Sequence, residues 1–304
     1  MRYQQALLTG SIFLTALLPA LLLELAMFLA HGSAEVREQI RQFPKRTIAT
    51  GLFCSALLPY LVYSLFSGTL NWLSLTWLVV IAGIFSFYYV WLPPTGWADV
   101  LLTLLFAAVL LTDRFPLIYI QVTPRLAEKI LGDLMLARVV GIAVFCIRGM
   151  PGVAYGFLPS KDDLRIGIRE FVYILPVAAV LSYLTGFAKV RPAGAPGETA
   201  LKAIGVAIGI HILVSLREEL MVRGLLQPVL QRWFHSPMLG MAVTSVLFGL
   251  THLGFAHKFP NWRFVIMATA AGWFYGRAFA ATQSVRAAMV THTLTVVLWR
   301  VFLV

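Results

Sequence analysis

The chain has 304 residues, of which 60% are hydrophobic and only 12% are charged, with a formal net charge of +11. A soluble domain carries about 25% charged residues to solvate its surface, so this composition excludes a soluble globular protein. The lysines and arginines are dispersed among short loops and form no basic stripe interleaved with aromatic side chains. The positive charge therefore indicates contact with anionic lipid head groups and no nucleic-acid partner.

Apolar runs, taken in chain order, predict a polytopic bundle of transmembrane helices. A helix needs roughly 20 apolar residues to cross the bilayer. Such runs lie at about 6–30, 47–66, 72–92, 97–112, 132–147, 167–188, 200–222, 236–256, 262–281 and 284–303. We expect eight to ten spans, the fourth and fifth runs being the weakest. No stretch alternates with the period of barrel strands, so the predicted fold class is all-α.

A short segment with the composition of a linker, Lys189–Thr199, separates two regions of different character. It reads KVRPAGAPGET, with two prolines among small residues. The spans before it are almost purely apolar, whereas the runs after it contain Glu, Arg and His. We therefore predict an N-terminal transmembrane region at residues 1–190 and a polar-cored helical region at 191–304.

The first polar feature of the C-terminal region is a pair of glutamates followed by an arginine. Glu219 and Arg223 are four residues apart, so their side chains lie on one helix face and can pair. Glu218 is turned by about 100° from its neighbour and need not share that arginine. A neutralised acid beside a free one would suit a general base. A charged helix end near the membrane interface is an equally good interpretation of this motif alone.

Two histidines in later apolar runs are the second feature. A lone histidine in an apolar helix is more often a hydrogen-bonded core residue than a catalyst. Together, however, His252 and His292 could meet Glu218 around one cavity if their helices converge. A carboxylate and an imidazole can then deprotonate a water molecule. A second imidazole can donate to the oxyanion that develops on a scissile carbonyl.

The order and spacing of these residues resemble the CPBP (CAAX protease and bacteriocin-processing) or Abi family of intramembrane glutamic endopeptidases. The motifs are E-E-x-x-x-R (Glu218, Glu219, Arg223), F-x-x-x-H (Phe248, His252) and a histidine in the last helix (His292). The resemblance covers about residues 200–304. Each motif is weak alone, but the set in this order within a polytopic protein is fairly specific.

The resemblance implies a role for each matching residue. Glu218 would be the general base that activates water together with His252. Glu219 and Arg223 would hold the geometry of the site, and His292 would belong to the oxyanion-binding side.

The same resemblance implies a hydrolase similar to CAAX prenyl proteases, integral to the bacterial inner membrane. Its partners would be the lipid bilayer and a membrane-associated peptide or protein, although nothing in the sequence indicates recognition of a prenyl group. A divalent metal on a glutamate and two histidines is chemically reasonable. Arg223 would disfavour a cation there, so we expect no metal and no cofactor.

One position departs from the family pattern. The last motif of the family usually reads H-x-x-x-N or H-x-x-x-D, and Val296 stands four residues after His292. Loss of one oxyanion donor costs about 10²–10³ in rate. Thr295 is displaced by about 100° around the helix and would need a distorted turn to substitute. Thr293 or a ring nitrogen of His292 are the other donors.

Two other functions therefore stay open. Val296 favours a non-catalytic membrane scaffold, such as an immunity or assembly factor. A proton-coupled transporter could also use buried glutamate and histidine, but it would show inverted-repeat symmetry and broken helices in both halves.

Overall fold

The protein is an all-α molecule, as the sequence predicted. The structure is a computed structural model that describes residues 9–112, 114–122, 128–150, 153–190, 194–255 and 259–303. It is 82% helical, and the described residues form no strand. The helices are α1 (Thr9–Gly32), α2 (Ala34–Arg41), α3 (Lys45–Ser67), α4 (Trp72–Trp91), α5 (Gly96–Leu111), α6 (Phe115–Ile118), α7 (Lys129–Ile147), α8 (Lys161–Thr185), α9 (Pro196–Trp233), α10 (Pro237–Leu250), α11 (Trp262–Thr282) and α12 (Val285–Phe302).

Seven helices among the described residues are long and apolar enough to cross a membrane, namely α1, α3, α4, α7, α9, α11 and α12. Two further apolar helices, α5 and α10, are shorter. The protein is therefore an integral membrane protein. Helix α8 begins at Lys161, before the expected span at 167–188. Two further boundaries differ from the expected spans at 200–222 and 236–256. Helix α9 continues through the glutamate motif to Trp233, and α10 ends at Leu250, so His252 lies in the turn that follows α10.

The chain folds into two compact units, Met1–Pro151 and Gly152–Val304. Helices α1–α7 belong to the first unit and α8–α12 to the second. The segment that we interpret as a linker lies inside the second unit, and its residues 191–193 are outside the described part of the chain. The division into an apolar N-terminal transmembrane region, 1–190, and a polar-cored region, 191–304, stays a prediction.

The first unit contains a fully buried ion pair between two of its spans. Arg138 on α7 donates from Nε to Oε1 of Glu24 on α1 at 2.6 Å, and from Nη2 to Oε2 at 3.0 Å. Its Nη1 also donates to the Ser55 hydroxyl on α3 at 2.8 Å. The expectation of almost purely apolar interiors before residue 189 is therefore wrong at this point. A charge at membrane depth needs a partner, and Glu24 and Arg138 supply each other with one.

In the second unit, small residues let the helices approach closely. Helix α11 packs against α8, α10 and α12, and α8 also packs against α12. A Cβ atom on Gly249 of α10 would lie 2.8 Å from the carbonyl oxygen of Val265 on α11. A Cβ atom on Gly167 of α8 would lie 2.6 Å from Cβ of Val290 on α12. Such contacts are typical of membrane bundles, where close packing replaces the hydrophobic driving force.

Candidate active site

Helix α9 carries the two glutamates between two wider turns. The segments His211–Ser215 and Val222–Leu226 are π-helical, and Glu218 and Glu219 lie in the α-helical stretch between them. Each π-helical turn includes an extra residue and rotates the side chains that follow, and such turns are frequent at functional sites. They set the direction in which the glutamates and Arg223 point.

Glu219 is the centre of a buried cluster that joins three helices. Nη1 of Arg223 lies 3.1 Å from Oε2 of Glu219, and Nδ1 of His292 lies 2.8 Å from Oε1. Arg223 also donates from Nη2 to the carbonyl oxygen of Gly272 at 2.7 Å. Glu219 and Arg223 are fully buried, and His292 is 4% exposed. Because a carboxylate accepts, Nδ1 of His292 carries a proton and Nε2 is the ring nitrogen left for other chemistry.

Two aromatic side chains enclose this cluster. The guanidinium carbon of Arg223 lies 4.8 Å from the centroid of the Phe248 ring and 5.5 Å from that of Tyr275. The ring of Tyr275 stacks on that of His292, with centroids 4.7 Å apart and planes at 12°. Gly272 leaves room for the cluster, since a Cβ atom there would lie 3.2 Å from Nη2 of Arg223. The positions of the guanidinium and the imidazole are therefore fixed by packing as well as by charge.

His252 is held beside the cluster by contacts of its own. Its Nδ1 lies 2.9 Å from the carbonyl oxygen of Phe248, one turn earlier in the chain. Its ring lies 4.9 Å from the Phe248 ring and stacks on Phe264 at 5.1 Å. Nδ1 therefore donates to the backbone, so Nε2 of a neutral His252 is a proton acceptor.

Both histidines open on one cavity. This cavity has a volume of about 520 Å³, and both His252 and His292 line it together with Thr295 and Val296. Most of its other walls are apolar side chains of α8, α11 and α12. Thr295 reaches the cavity from an ordinary α-helix, and its ability to replace the missing donor stays a separate question. Residues three and four apart on a helix are neighbours, and Thr295 shares the face of His292 for that reason.

Glu218 lies next to the cluster but does not line the cavity. Its side chain is close enough to Arg223 and Tyr275 to act electrostatically on both. One of its carboxylate oxygens, Oε2, is buried and has no hydrogen-bond partner among the described residues. The structure thus brings Glu219, Arg223 and His292 into direct contact, whereas the roles assigned from the resemblance stay predictions.

Two groups of the site could not be assigned from the sequence motifs. Tyr275 is buried against His292. The sequence indicates this role only by placing a tyrosine within an apolar run. His211 lies 3.0 Å from the Thr293 hydroxyl through Nδ1 and 2.9 Å from the Phe157 carbonyl oxygen through Nε2. Ser215 also contacts the Thr293 hydroxyl, at 3.2 Å. Thr293 is therefore engaged away from the cavity and does not serve as a donor there.

Metal ligands do not converge in the part of the chain that the structure describes. No group of three or more His, Cys, Asp or Glu side chains has the geometry to hold a metal ion there. The carboxylate of Glu219 is already occupied by a guanidinium and an imidazole. The expectation of a metal-free site stays a prediction.

The fold and the site define a polytopic membrane protein with a buried carboxylate–imidazole pair beside an apolar cavity. Residues 200–298 match the family model described as type II CAAX prenyl endopeptidase Rce1-like. The match confirms the resemblance to the CPBP family over about a third of the chain, and it supports a hydrolase of the protease class at that general level. No curated protein and no solved structure matches the chain.

Proposed function

We propose that the protein is an intramembrane endopeptidase that hydrolyses a peptide bond of a membrane-associated protein or peptide. The observation that carries this proposal is the buried Glu219–His292 pair, whose histidine lines a cavity inside a membrane bundle together with His252. The match to the CAAX prenyl endopeptidase model favours the glutamic type of this chemistry. Residues 191–304 would be its catalytic region, and the bacterial inner membrane its location.

In this mechanism Glu218 is the general base and His252 assists it. A buried carboxylate oxygen without a hydrogen bond is costly, by about 1–3 kcal/mol or more, so a water molecule is its natural partner. Nε2 of His252 offers a second acceptor from the side of the cavity. The water loses a proton to this pair as its oxygen attacks the scissile carbonyl carbon. That proton then passes to the leaving amide nitrogen as the C–N bond breaks.

Glu219 and Arg223 act on the reaction through His292. Arg223 neutralises most of the charge on the Glu219 carboxylate, and Glu219 fixes the imidazole through Nδ1. With Nδ1 bonded to Glu219, Nε2 of His292 is the ring nitrogen that donates to the oxyanion of the tetrahedral intermediate when it carries a proton. The three residues therefore prepare a donor in advance of the substrate.

The apolar walls of the cavity indicate the class of substrate. An apolar peptide segment loses little on entering such a cavity, whereas a charged segment would lose its hydration. The peptide is therefore expected to carry apolar side chains next to the cleaved bond.

The test is the loss of cleavage in Glu218→Gln and His252→Ala, with the full chain expressed in a host that lacks it. New peptide termini in the membrane fraction are labelled and identified by mass spectrometry. Removal of either member of an acid–base pair is expected to lower cleavage by about 10²–10⁴-fold. Glu198→Gln and His235→Asn, at exposed positions of the second unit, are the matched controls and retain cleavage. Undiminished cleavage in both site variants, at equal expression, contradicts the proposal.

A non-catalytic scaffold is the second candidate, and Val296 is the observation that favours it. A scaffold uses the polar cluster only for packing, so its cellular phenotype survives Glu218→Gln. The peptidase loses its phenotype in the same variant, and the two functions are distinguished by this one measurement.

A further inference from the structure

Val296 is the position in the cavity wall that departs from the family pattern. It lines the cavity one turn after His292, at the position where the family pattern has an amide or acid side chain. Valine offers no proton, so a peptidase with this residue has only His292 from that motif to stabilise the oxyanion. The inference that follows rests on the proposed function and concerns which group replaces the missing donor.

The threonines of α12 do not supply it. Thr293 is engaged with His211 and Ser215 and does not line the cavity. Thr295 does line the cavity, but its hydroxyl donates to the carbonyl oxygen of Thr291 at 2.8 Å. This proton is committed to the helix backbone, and the Thr295 oxygen is left as an acceptor.

Tyr275, on the facing helix α11, has the required position. It lines the same cavity as Val296, and its ring stacks on that of His292 at 4.7 Å. Thr295, the residue adjacent to Val296, lines this cavity too. Because the Thr295 proton points to the backbone, the Tyr275 proton is the one available between the two groups. A phenol is also a better donor than an aliphatic hydroxyl, because its proton is more acidic.

We propose that Tyr275 donates the oxyanion hydrogen bond that Val296 cannot provide. When the tetrahedral intermediate forms, the O–H group turns to the oxyanion, beside the proton on Nε2 of His292. The ring is 2% exposed and held by stacking, so the donor is already ordered before the reaction. Preorganised donors of this kind give the largest benefit in a water-poor site.

The first experiment is Tyr275→Phe in the full-length protein, reconstituted in lipid vesicles. The substrate is a quenched fluorescent peptide that spans the bond cut in the membrane experiment. A donor that acts only in the transition state changes kcat and leaves KM unchanged. We expect kcat to fall by about 10²–10³-fold. Tyr173→Phe, on α8 and outside the cavity lining, is the control with unchanged kcat.

The second experiment restores the amide in the altered enzyme. The double variant Tyr275→Phe/Val296→Asn is expected to regain at least about tenfold in kcat over Tyr275→Phe, because an amide N–H replaces the lost O–H. Packing damage from the loss of the hydroxyl would not be repaired by an asparagine on another helix.

The inference is overturned if Tyr275→Phe keeps the wild-type kcat, or if Val296→Asn restores nothing. These results are distinct from failure of the proposed function. If the proposed function fails, Glu218→Gln and His252→Ala also retain cleavage. If only the inference about Tyr275 fails, both of these variants remain inactive.

Discussion

At the residue scale, the Glu219 carboxylate is the acceptor that two other groups share. Its partners come from one turn further along α9 and from α12, and Arg223 in turn binds a carbonyl of α11. Buried ion pairs are weak contributors to net stability, because desolvation of the charges offsets their attraction. Here the ion pair and the hydrogen bond fix the orientation of the side chains. If one member of the cluster is removed, the side chain bonded to it loses the contact that orients it.

Arg223→Met tests how strongly this cluster depends on the arginine. The change leaves the Glu219 carboxylate buried without its main counter-charge. Breaking a buried pair in this way costs about 3–5 kcal/mol. We expect the free energy of unfolding in mixed micelles, measured by detergent titration, to fall by this amount. The double variant Glu219→Gln/Arg223→Met removes both charges and is expected to recover part of the loss. Equal stability of the two variants contradicts the argument.

The spacing of residues predicted one contact of the cluster and not the other. Glu219 and Arg223 are four residues apart on one helix, so their pairing follows from helix geometry, and the ion pair is present. The contact of Glu219 with His292 joins residues 73 positions apart. It depends on how α12 lies against α9, and no local pattern contains that information.

At the element scale, apolar runs located most of the helices, and the exceptions have local causes. Helix α9 was expected to end near residue 222, where the charged Glu218–Arg223 motif closes its apolar run. The chain instead passes through the π-helical turn Val222–Leu226 and continues to Trp233. A wider turn before a proline accommodates the hydrogen bond that proline cannot make. Since π-helical turns depend on packing, the sequence gives no direct sign of them.

Gly249→Ala tests the close contact of α10 with α11. An added Cβ atom would meet the Thr269 hydroxyl and would lie 2.8 Å from the carbonyl oxygen of Val265. The backbone cannot retreat without separating the helices that carry Phe248 and Tyr275. Overpacking of this kind costs about 1–3 kcal/mol. Detergent titration is expected to show this loss of stability.

Gly205→Ala is the matched control for this change. Gly205 lies in the interior of α9, and an added Cβ atom there meets no other group within 4 Å. Alanine favours a helix over glycine by about 1 kcal/mol, so this variant is expected to be as stable as the wild type or slightly more stable. A loss at Gly205 equal to that at Gly249 would contradict the argument, because the close contact of α10 with α11 would then not be the cause of the loss.

At the scale of the whole molecule, the membrane environment follows from composition alone. Large apolar side chains remain exposed on the helices, and tryptophans at helix ends, such as Trp72 at 80% and Trp97 at 74% exposed, suit the membrane interface. Composition does not reveal which few charges are buried. The Glu24–Arg138 pair escaped the sequence analysis because each residue stands alone in an apolar run, 114 positions apart.

Removal of Arg138 tests how much the Glu24–Arg138 pair contributes to the stability of the first unit. Arg138→Met leaves Glu24 buried at membrane depth with no counter-charge and the Ser55 hydroxyl without its donor. We expect the free energy of unfolding to fall by about 3–5 kcal/mol, or Glu24 to be protonated at a comparable cost. Glu24→Leu/Arg138→Met replaces the pair by apolar side chains of similar size. Such replacements are often neutral, so the double variant should be within about 1–2 kcal/mol of the wild type. Detergent titration of the three proteins at one pH measures the difference. If the double variant is no more stable than Arg138→Met, the pair stabilises the unit by its hydrogen bonds rather than by mutual neutralisation.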